Sequence, residues 1–159
     1  IFYLHQDPSI SAQAMTDKHV VKMILESAQM LSCAHHVLDQ DQAKNKDKLY
    51  KVTHQNHPSS VWVRQSKKNY EWLYSHFLAL SLEYANRYNK VHKTYKDLNE
   101  ILQPFPKNLP NGYFTQPPQA MPDIFKDSDS IQAYRKYYET QKIHNDKDLE
   151  RYKLTLWNK

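Results

Sequence analysis

Apolar residues recur at helical spacing through most of the chain. The first pattern starts at Thr16 or Asp17, two residues that favour helix N-caps, and ends at Leu38. It is apolar almost all round, which predicts a long, central, buried helix. A second pattern begins near Ser59, after Pro58, and continues to residue 89, which is too long for one helix unless it kinks. Its inward face is predicted to hold Trp62, Asn69, Leu73, His76, Phe77, Leu80, Tyr84 and Tyr88.

Two shorter helical patterns follow, over residues 94–102 and from residue 128 to about residue 143. The tail after Asn145 is ambiguous. One side of the second short helix is predicted to face inward and holds Ile131, Tyr134, Tyr138 and Gln141.

Six prolines interrupt the helical patterns between residues 104 and 122. Proline disfavours helix at its own position and at the one before it, so this segment must be extended or turning. We predict an ordered loop that lies over the helical core as one wall of a cleft. The side chains predicted to pack there are Phe105, Tyr113, Phe114 and Met121.

The patterns together predict an all-α fold, a compact helical bundle forming a single domain over residues 1–159. The single cysteine, Cys33, excludes an internal disulfide, and the single glycine, Gly112, excludes P-loop, dinucleotide-binding and G-x-S-x-G motifs. We find no membrane span and no secretory signal, and expect a cytoplasmic protein. A net charge of +5 and twelve tyrosines favour a nucleic-acid partner.

A polar strip crosses the predicted central helix. Successive residues of an α-helix turn by about 100°, so His19, Lys22, Glu26 and Gln29 fall within one narrow arc. Polar groups on a buried helix cost free energy unless they are paired or face a cavity, which makes this strip the strongest indication of a site. The alternative is a solvent-facing edge with an ordinary Lys22–Glu26 ion pair.

A second group of basic residues surrounds the predicted start of the next helix. His54 and His57 precede this start, and Arg64, Lys67 and Lys68 follow along the first turns. Cations beside helix N–H groups are suited to binding a DNA phosphate. The alternative for His57 is a role as a helix cap alone.

The third group interleaves tyrosines and cations. The run AYRKYYETQK contains Tyr134, Arg135, Lys136, Tyr137 and Tyr138, a composition typical of contact with phosphates and unstacked bases. Tyrosines at helical spacing are more often core residues, and this is the alternative.

In this order the three groups resemble the phage pyrimidine-dimer DNA glycosylases of the endonuclease V type, which are small and all-helical. In that family a histidine within a D-Q-H run precedes the catalytic glutamate by seven residues, and here Asp17-Lys18-His19 precedes Glu26 at the same interval. The family's G-H looks like Asn56-His57, and its W-Y-K-Y-Y-G-K looks like residues 134–142. The chain is also similar to a group of phage proteins that share its IFYL and DKHVVKM patterns.

The resemblance implies a glycosylase with abasic-site lyase activity on double-stranded DNA, in the host cytoplasm if the protein is phage-encoded. An uncharged amine would attack the sugar C1′, the base would depart, and the Schiff base would undergo β-elimination. Glu26 would stabilise the cationic sugar and shuttle the proton, with His19 beside it. The amine would come from the N-terminus or from Lys22.

Three other functions stay open at this point. One is a histidine-based phosphodiesterase or nuclease that uses His19, His54 and His57 as acid, base or metal ligands. The others are an enzyme acting on a free nucleotide or nucleotide-like signal, and a non-catalytic nucleic-acid-binding protein. A metal site could also draw on His35 and His36, but the sequence has no HExxH or comparable spacing, and we predict neither a metal nor a cofactor.

Overall fold

The computed structural model describes residues 1–157, which form helices joined by loops. This part of the chain contains no strand, so the predicted all-α class is confirmed. None of the helices in residues 1–157 is long and apolar enough to cross a membrane. The α-helices are α1 Pro8–Gln13, α2 Asp17–Asp39, α3 Pro58–Val63, α4 Lys67–Tyr88, α5 Lys93–Leu102, α6 Ser130–Gln141 and α7 Asp146–Leu156, with 3-10 turns at Gln40–Gln42 and Asp123–Phe125.

Helix α2 lies at the centre of the core, as predicted. Thr16 caps its start, because the Thr16 side chain accepts a hydrogen bond from the backbone N–H of His19 at 3.3 Å. The helix packs against α3, α4 and α5. Its burial is not complete, since Val21 and Leu25 are exposed on the outer side.

The kink predicted in the second helical pattern is a full break between α3 and α4. Ser66 starts α4 as its N-cap, accepting a hydrogen bond from the Asn69 N–H at 3.1 Å. The buried Asn69 amide donates to the Trp62 carbonyl oxygen at 2.9 Å and holds the two helices across the break. The predicted inward face is correct except at its end, where Tyr88 is exposed and the helix stops at a left-handed Asn89.

The proline-rich segment is an ordered loop, and part of it packs as predicted. Phe114 and Met121 lie against the core. The expected packing of Tyr113 is wrong, because this ring is 92% exposed, and Phe105 is also classed among the exposed apolar side chains.

The two helices that the periodicity left out are α1 and α7. Helix α1 has six residues and is too short to show a pattern, while α7 lies in the tail that was ambiguous. Arg87 of α4 and Arg151 of α7 both contact the Asp17 carboxylate, at 3.1 and 3.0 Å, so these helices are fastened to the start of α2. On α6 the prediction fails at Gln141, which is exposed where that helix ends.

Candidate functional site

A cleft of about 250 Å³ opens between the N-terminal segment, α2, the start of α3 and α6. All four residues of the polar strip line it, so the strip faces a cavity. The Pro-rich loop contributes to its wall only through Ala120. The lining residues are Ile1, Phe2, His19, Lys22, Met23, Glu26, Gln29, Met30, Thr53, His54, His57, Ser59, Ser60, Ala120, Tyr134, Tyr137 and Lys142.

Glu26 is the acidic residue of this lining. Its side chain is 41% exposed, yet the Oε2 atom is shielded from solvent and has no hydrogen-bond partner. The nearest cation is the Lys22 Nζ, 3.8 Å from Oε2, on a side chain that is 62% exposed. The Lys22–Glu26 pair expected of an ordinary surface therefore exists, but it lies in the cleft, and it leaves Oε2 without a hydrogen bond.

The first residues of the chain are held firmly against the cleft. The Ser11 Oγ accepts from the Leu4 N–H at 3.2 Å and donates to the Phe2 carbonyl oxygen at 3.0 Å. The Leu4 carbonyl oxygen also accepts from Arg135 Nε at 2.7 Å. Burial lowers the pKa of the amino group of Ile1, and the Glu26 carboxylate acts in the opposite direction. An amine with a lowered pKa is more often neutral and hence nucleophilic.

His19 is a neutral residue of the cleft at physiological pH. Burial, followed by the charges of Lys142 and Lys22, lowers its pKa to about 4. Its Nδ1 lies 2.8 Å from the Tyr138 hydroxyl, and the ring of Phe2 stacks on it with the centroids 4.4 Å apart. These contacts fix the orientation of the imidazole ring.

His57 caps α3, as its alternative interpretation expected, and it also lines the cleft. Contact of His57 with a DNA phosphate stays a prediction. The His57 Nδ1 accepts a hydrogen bond from the Ser59 N–H at 3.1 Å. Burial lowers the pKa of His57, and so do the charges of the Ile1 amino group and His54. These shifts favour a neutral ring, which is the state that the cap requires.

The other basic residues predicted around this helix start do not line the cleft. The Arg64 guanidinium donates to the carbonyl oxygens of Gln55 and Ser60, at 2.9 and 3.4 Å, and so stabilises the loop before α3. Lys67 and Lys68 line a separate groove with Glu71, Phe105, Asn111, Gly112, Tyr113 and Phe114. Contact of these cations with DNA stays a prediction.

The tyrosines predicted to stack on bases require a correction. Tyr134 and Tyr138 are 1% and 0% exposed, so neither presents an open ring face to a base. The Tyr134 hydroxyl donates to the Pro118 carbonyl oxygen at 2.5 Å, and the Tyr138 hydroxyl accepts from the Thr16 N–H at 2.8 Å. Their apolar rings belong to the core because α6 packs with this side inward.

The remaining residues of this run divide by position. Arg135 is half-buried on the Leu4 carbonyl oxygen, and Lys136 is exposed outside the cleft. Tyr137 lines the cleft, and Lys142 lies over its ring with Nζ 5.2 Å from the centroid. Lys142, Phe2 and Ser59 were not predicted as site residues, whereas an amine at the N-terminus was named as a possible nucleophile. The available signals for Lys142 were its place at the end of residues 134–142, the segment that resembles the family's W-Y-K-Y-Y-G-K, and its position one helical turn after Tyr138.

The histidines considered as acid, base or metal ligands divide into two sets. His19, His54 and His57 line the cleft. The His35 Nε2 lies 2.8 Å from the Tyr70 hydroxyl, and the His36 Nε2 lies 3.1 Å from the Tyr50 carbonyl oxygen. Within residues 1–157, no three or more His, Cys, Asp or Glu side chains are grouped so that they could hold a metal ion.

The comparisons with known proteins identify a family. A family model described as pyrimidine dimer DNA glycosylase matches residues 1–97, a range that includes α1 to α4 and the whole polar strip. Comparison with curated proteins and with solved structures gave no match. Because the family match covers more than half of the 159 residues, the chain belongs to the pyrimidine dimer DNA glycosylase family.

Proposed function

We propose that this protein removes pyrimidine dimers from double-stranded DNA by amine chemistry, with both glycosylase and abasic-site lyase activity. The observation that carries the proposal is the Glu26 carboxylate in the cleft, whose shielded Oε2 has no hydrogen bond and only the Lys22 ammonium, 3.8 Å away, as a nearby cation. A carboxylate in such a position can stabilise positive charge that develops on a substrate in the cleft. Membership in the glycosylase family supports DNA as that substrate.

The first step is nucleophilic displacement at the damaged nucleotide. A neutral amine attacks C1′, the C1′–N1 bond breaks, and its electron pair leaves with the pyrimidine. Glu26 stabilises the positive charge that develops on the sugar. It then takes the surplus proton from the bound amine and passes it to O4′ as the ring opens, which leaves a Schiff base at C1′.

The second step breaks the DNA strand. Glu26 removes a proton from C2′, the electrons form a C=C bond, and the bond from C3′ to its phosphate oxygen breaks in a β-elimination. Water then hydrolyses the Schiff base and releases the amine. The departed pyrimidine takes a proton from water, and Glu26 returns the C2′ proton to water, so the sequence of steps consumes no oxidant.

Two amines are candidate nucleophiles, and each can be tested. One is an amine at the N-terminal end of the chain, which the lining of the cleft by Ile1 and Phe2 supports. The Lys22 Nζ is within 3.8 Å of Oε2 but on a largely exposed side chain. We favour an amine at the N-terminal end of the chain. His19, neutral and fixed by Tyr138, would orient the sugar or a phosphate beside it.

Borohydride trapping tests this proposal directly. The protein is incubated with duplex DNA carrying one thymine dimer, reduced, and digested for mass spectrometry of the DNA adduct. We expect a covalent adduct on the N-terminal peptide, whichever residue begins the expressed protein. The adduct should survive in Lys22→Ala and be strongly reduced in Glu26→Gln.

Matched variants separate site effects from general charge effects. Glu100→Gln and Lys96→Ala change exposed residues of α5 that do not line the cleft, so both should form the wild-type amount of adduct. An adduct on Lys22 would support the same reaction with the Lys22 amine as the nucleophile. Base release without any adduct would overturn the lyase chemistry, and activity that a chelator abolishes would favour a metal-dependent nuclease.

A further inference from the structure

A second concave surface lies between the start of α4 and the Pro-rich loop. This groove has a volume of about 770 Å³, larger than that of the cleft, and it shares no lining residue with the cleft. Two lysines of α4 and three aromatic rings of the loop line it, namely Lys67, Lys68, Phe105, Tyr113 and Phe114. The proposed chemistry uses none of these residues, so the ligand of the groove is a separate question.

The ring of Tyr113 is presented to solvent from a fixed backbone. The side chain is 92% exposed, yet the Tyr113 carbonyl oxygen accepts from the Ser66 Oγ at 3.1 Å, and the Pro110 carbonyl oxygen accepts from the Lys67 N–H at 2.9 Å. Gly112 permits this close approach, because a Cβ there would lie only 2.9 Å from the Ser66 Cβ. A ligand that stacks on Tyr113 therefore meets a ring whose backbone is already ordered, which lowers the entropy lost on binding.

The two lysines give the groove a positive charge. Glu71 is the acidic residue of the lining, and its Oε2 lies 4.0 Å from Lys68 Nζ. Both side chains of this pair are more than half exposed, so water screens their attraction. The Lys67 Nζ lies 5.7 Å from the ring centroid of Phe105, a ring that is itself 39% exposed. The ammonium groups are thus placed beside aromatic rings at the surface.

This combination of rings and cations indicates the chemistry of the ligand. Lysines attract phosphates, and an exposed ring stacks on a nucleobase whose face is free. In a duplex the base faces are covered by neighbouring bases, whereas in an unpaired strand they are accessible. An acidic protein segment would pair with the lysines but would leave the ring of Tyr113 unused.

We infer that this groove binds an unpaired DNA strand, with a base stacked on Tyr113 and backbone phosphates held by Lys67 and Lys68. The inference goes beyond the proposed glycosylase chemistry and does not depend on it. Phe105 and Tyr113 lie outside residues 1–97, the range that the family model matches. The groove is a second nucleic-acid site, and the backbone N–H groups at the start of α4 are not its ligands, because Lys67 and Asn69 already donate theirs within the protein.

The test compares two single strands that differ only in their bases. One is a fluorescein-labelled oligothymidylate, and the other is a strand of the same length made of tetrahydrofuran abasic units; binding is measured by fluorescence anisotropy. We expect Tyr113→Ala to raise the Kd for oligothymidylate about tenfold and to leave the Kd for the abasic strand unchanged. Tyr113→Phe keeps the ring and should bind both strands like the wild type.

The lysines should act on both strands alike. Lys67→Ala and Lys68→Ala should each reduce the slope of log Kd against log salt by about 0.7, the value for one phosphate contact on a single strand. Lys96→Ala, which changes an exposed lysine of α5 outside the groove, should leave this slope unchanged. Trp157→Ala is the control for the ring, because Trp157 is 61% exposed and has Lys153 Nζ 4.8 Å from its ring centroid, but it does not line the groove.

Three results would overturn this inference. Tyr113→Ala could bind oligothymidylate like the wild type, or lose the same affinity for both strands, and either result would exclude stacking on this ring. Equal losses in Trp157→Ala would assign the effect to any exposed ring. Displacement of oligothymidylate by oligoglutamate at the same concentration of charge would assign the groove to an acidic protein segment. Failure to form a borohydride adduct would refute the proposed chemistry and leave the groove site in place.

Discussion

Helices α2 and α6 place the residues that depart from their surroundings in opposite environments. On α2, four polar residues interrupt an apolar helix, and all four face the cleft. On α6, tyrosines interrupt a charged helix, and Tyr134 and Tyr138 go into the core. In each helix, the residue type that differs from its neighbours marks one face: the face toward the cleft on α2 and the face toward the core on α6.

The energetic reason is the cost of burial. A polar side chain on a buried face is tolerated only if something compensates it, such as a cavity, a partner or a substrate. A tyrosine on a polar helix needs no such compensation, because packing its ring stabilises the fold and its hydroxyl finds a carbonyl or N–H partner. The predictions below test this contrast, beginning with the largest expected effect.

Replacing Glu26, a polar residue of the strip on α2, should remove activity and leave the fold intact. We expect Glu26→Gln to lower the single-turnover rate of strand cleavage at a thymine dimer by about 10²–10⁴-fold, because general acid–base catalysis is lost. The thermal midpoint should stay close to that of the wild type. A rate within a few-fold of wild type would show that the strip on α2 is a surface edge and would break the contrast.

Replacing Tyr138, a core tyrosine of α6, should instead lower the stability of the fold. Tyr138→Phe removes a hydroxyl that accepts from the Thr16 N–H and lies 2.8 Å from His19 Nδ1, so we expect a loss of about 1–3 kcal/mol in the free energy of unfolding. Urea denaturation measures this. Tyr137→Phe, at the cleft surface, should change it by less than about 0.5 kcal/mol. Equal effects of the two variants would contradict the division between core and cleft rings.

The neutral histidine of the strip should make folding sensitive to acid. The pKa of His19 falls from 6.5 in the unfolded chain to about 4 in the folded protein. Between these values the unfolded state binds more protons, so stability that is present above pH 6.5 is lost as the pH falls through 4. His35 and His76 have similarly lowered pKa values and act in the same direction.

A variant isolates the contribution of His19 to this acid sensitivity. His19→Gln should lose less stability than the wild type between pH 6.5 and pH 4, as followed by thermal unfolding. His144→Gln changes an exposed histidine and should follow the wild-type curve. Identical curves for all three proteins would show that His19 stays accessible to protons in the folded state.

The smallest expected effect distinguishes two lysines at α6. Lys142 lines the cleft, whereas Lys136 is exposed outside it. Lys142→Ala should weaken binding of lesion DNA by about threefold to tenfold and reduce the salt dependence by about one phosphate contact. Lys136→Ala should leave both unchanged in an anisotropy titration. A larger loss of affinity in Lys136→Ala than in Lys142→Ala would assign the DNA contact to the outer face of α6.

The spacing of apolar residues was sufficient to predict the long helices. The cost of burying polar groups was sufficient to predict that the strip on α2 faces a cavity. Both depend on short-range spacing, which the sequence contains directly. The short helix α1 and the exposed Tyr113 depend on tertiary contacts that no local pattern records. The cleft residues Ser59 and Lys142 became recognisable only when the fold brought α3 and α6 next to α2. A site built across elements is therefore predicted in part, from the element with the clearest pattern.

The anchoring of the first residues has a practical consequence for anyone who handles this protein. Ile1 and Phe2 line the cleft, and Ser11 and Arg135 hold the backbone of Phe2 and Leu4 in place. A purification tag at the other end of the chain therefore leaves this wall of the cleft unchanged.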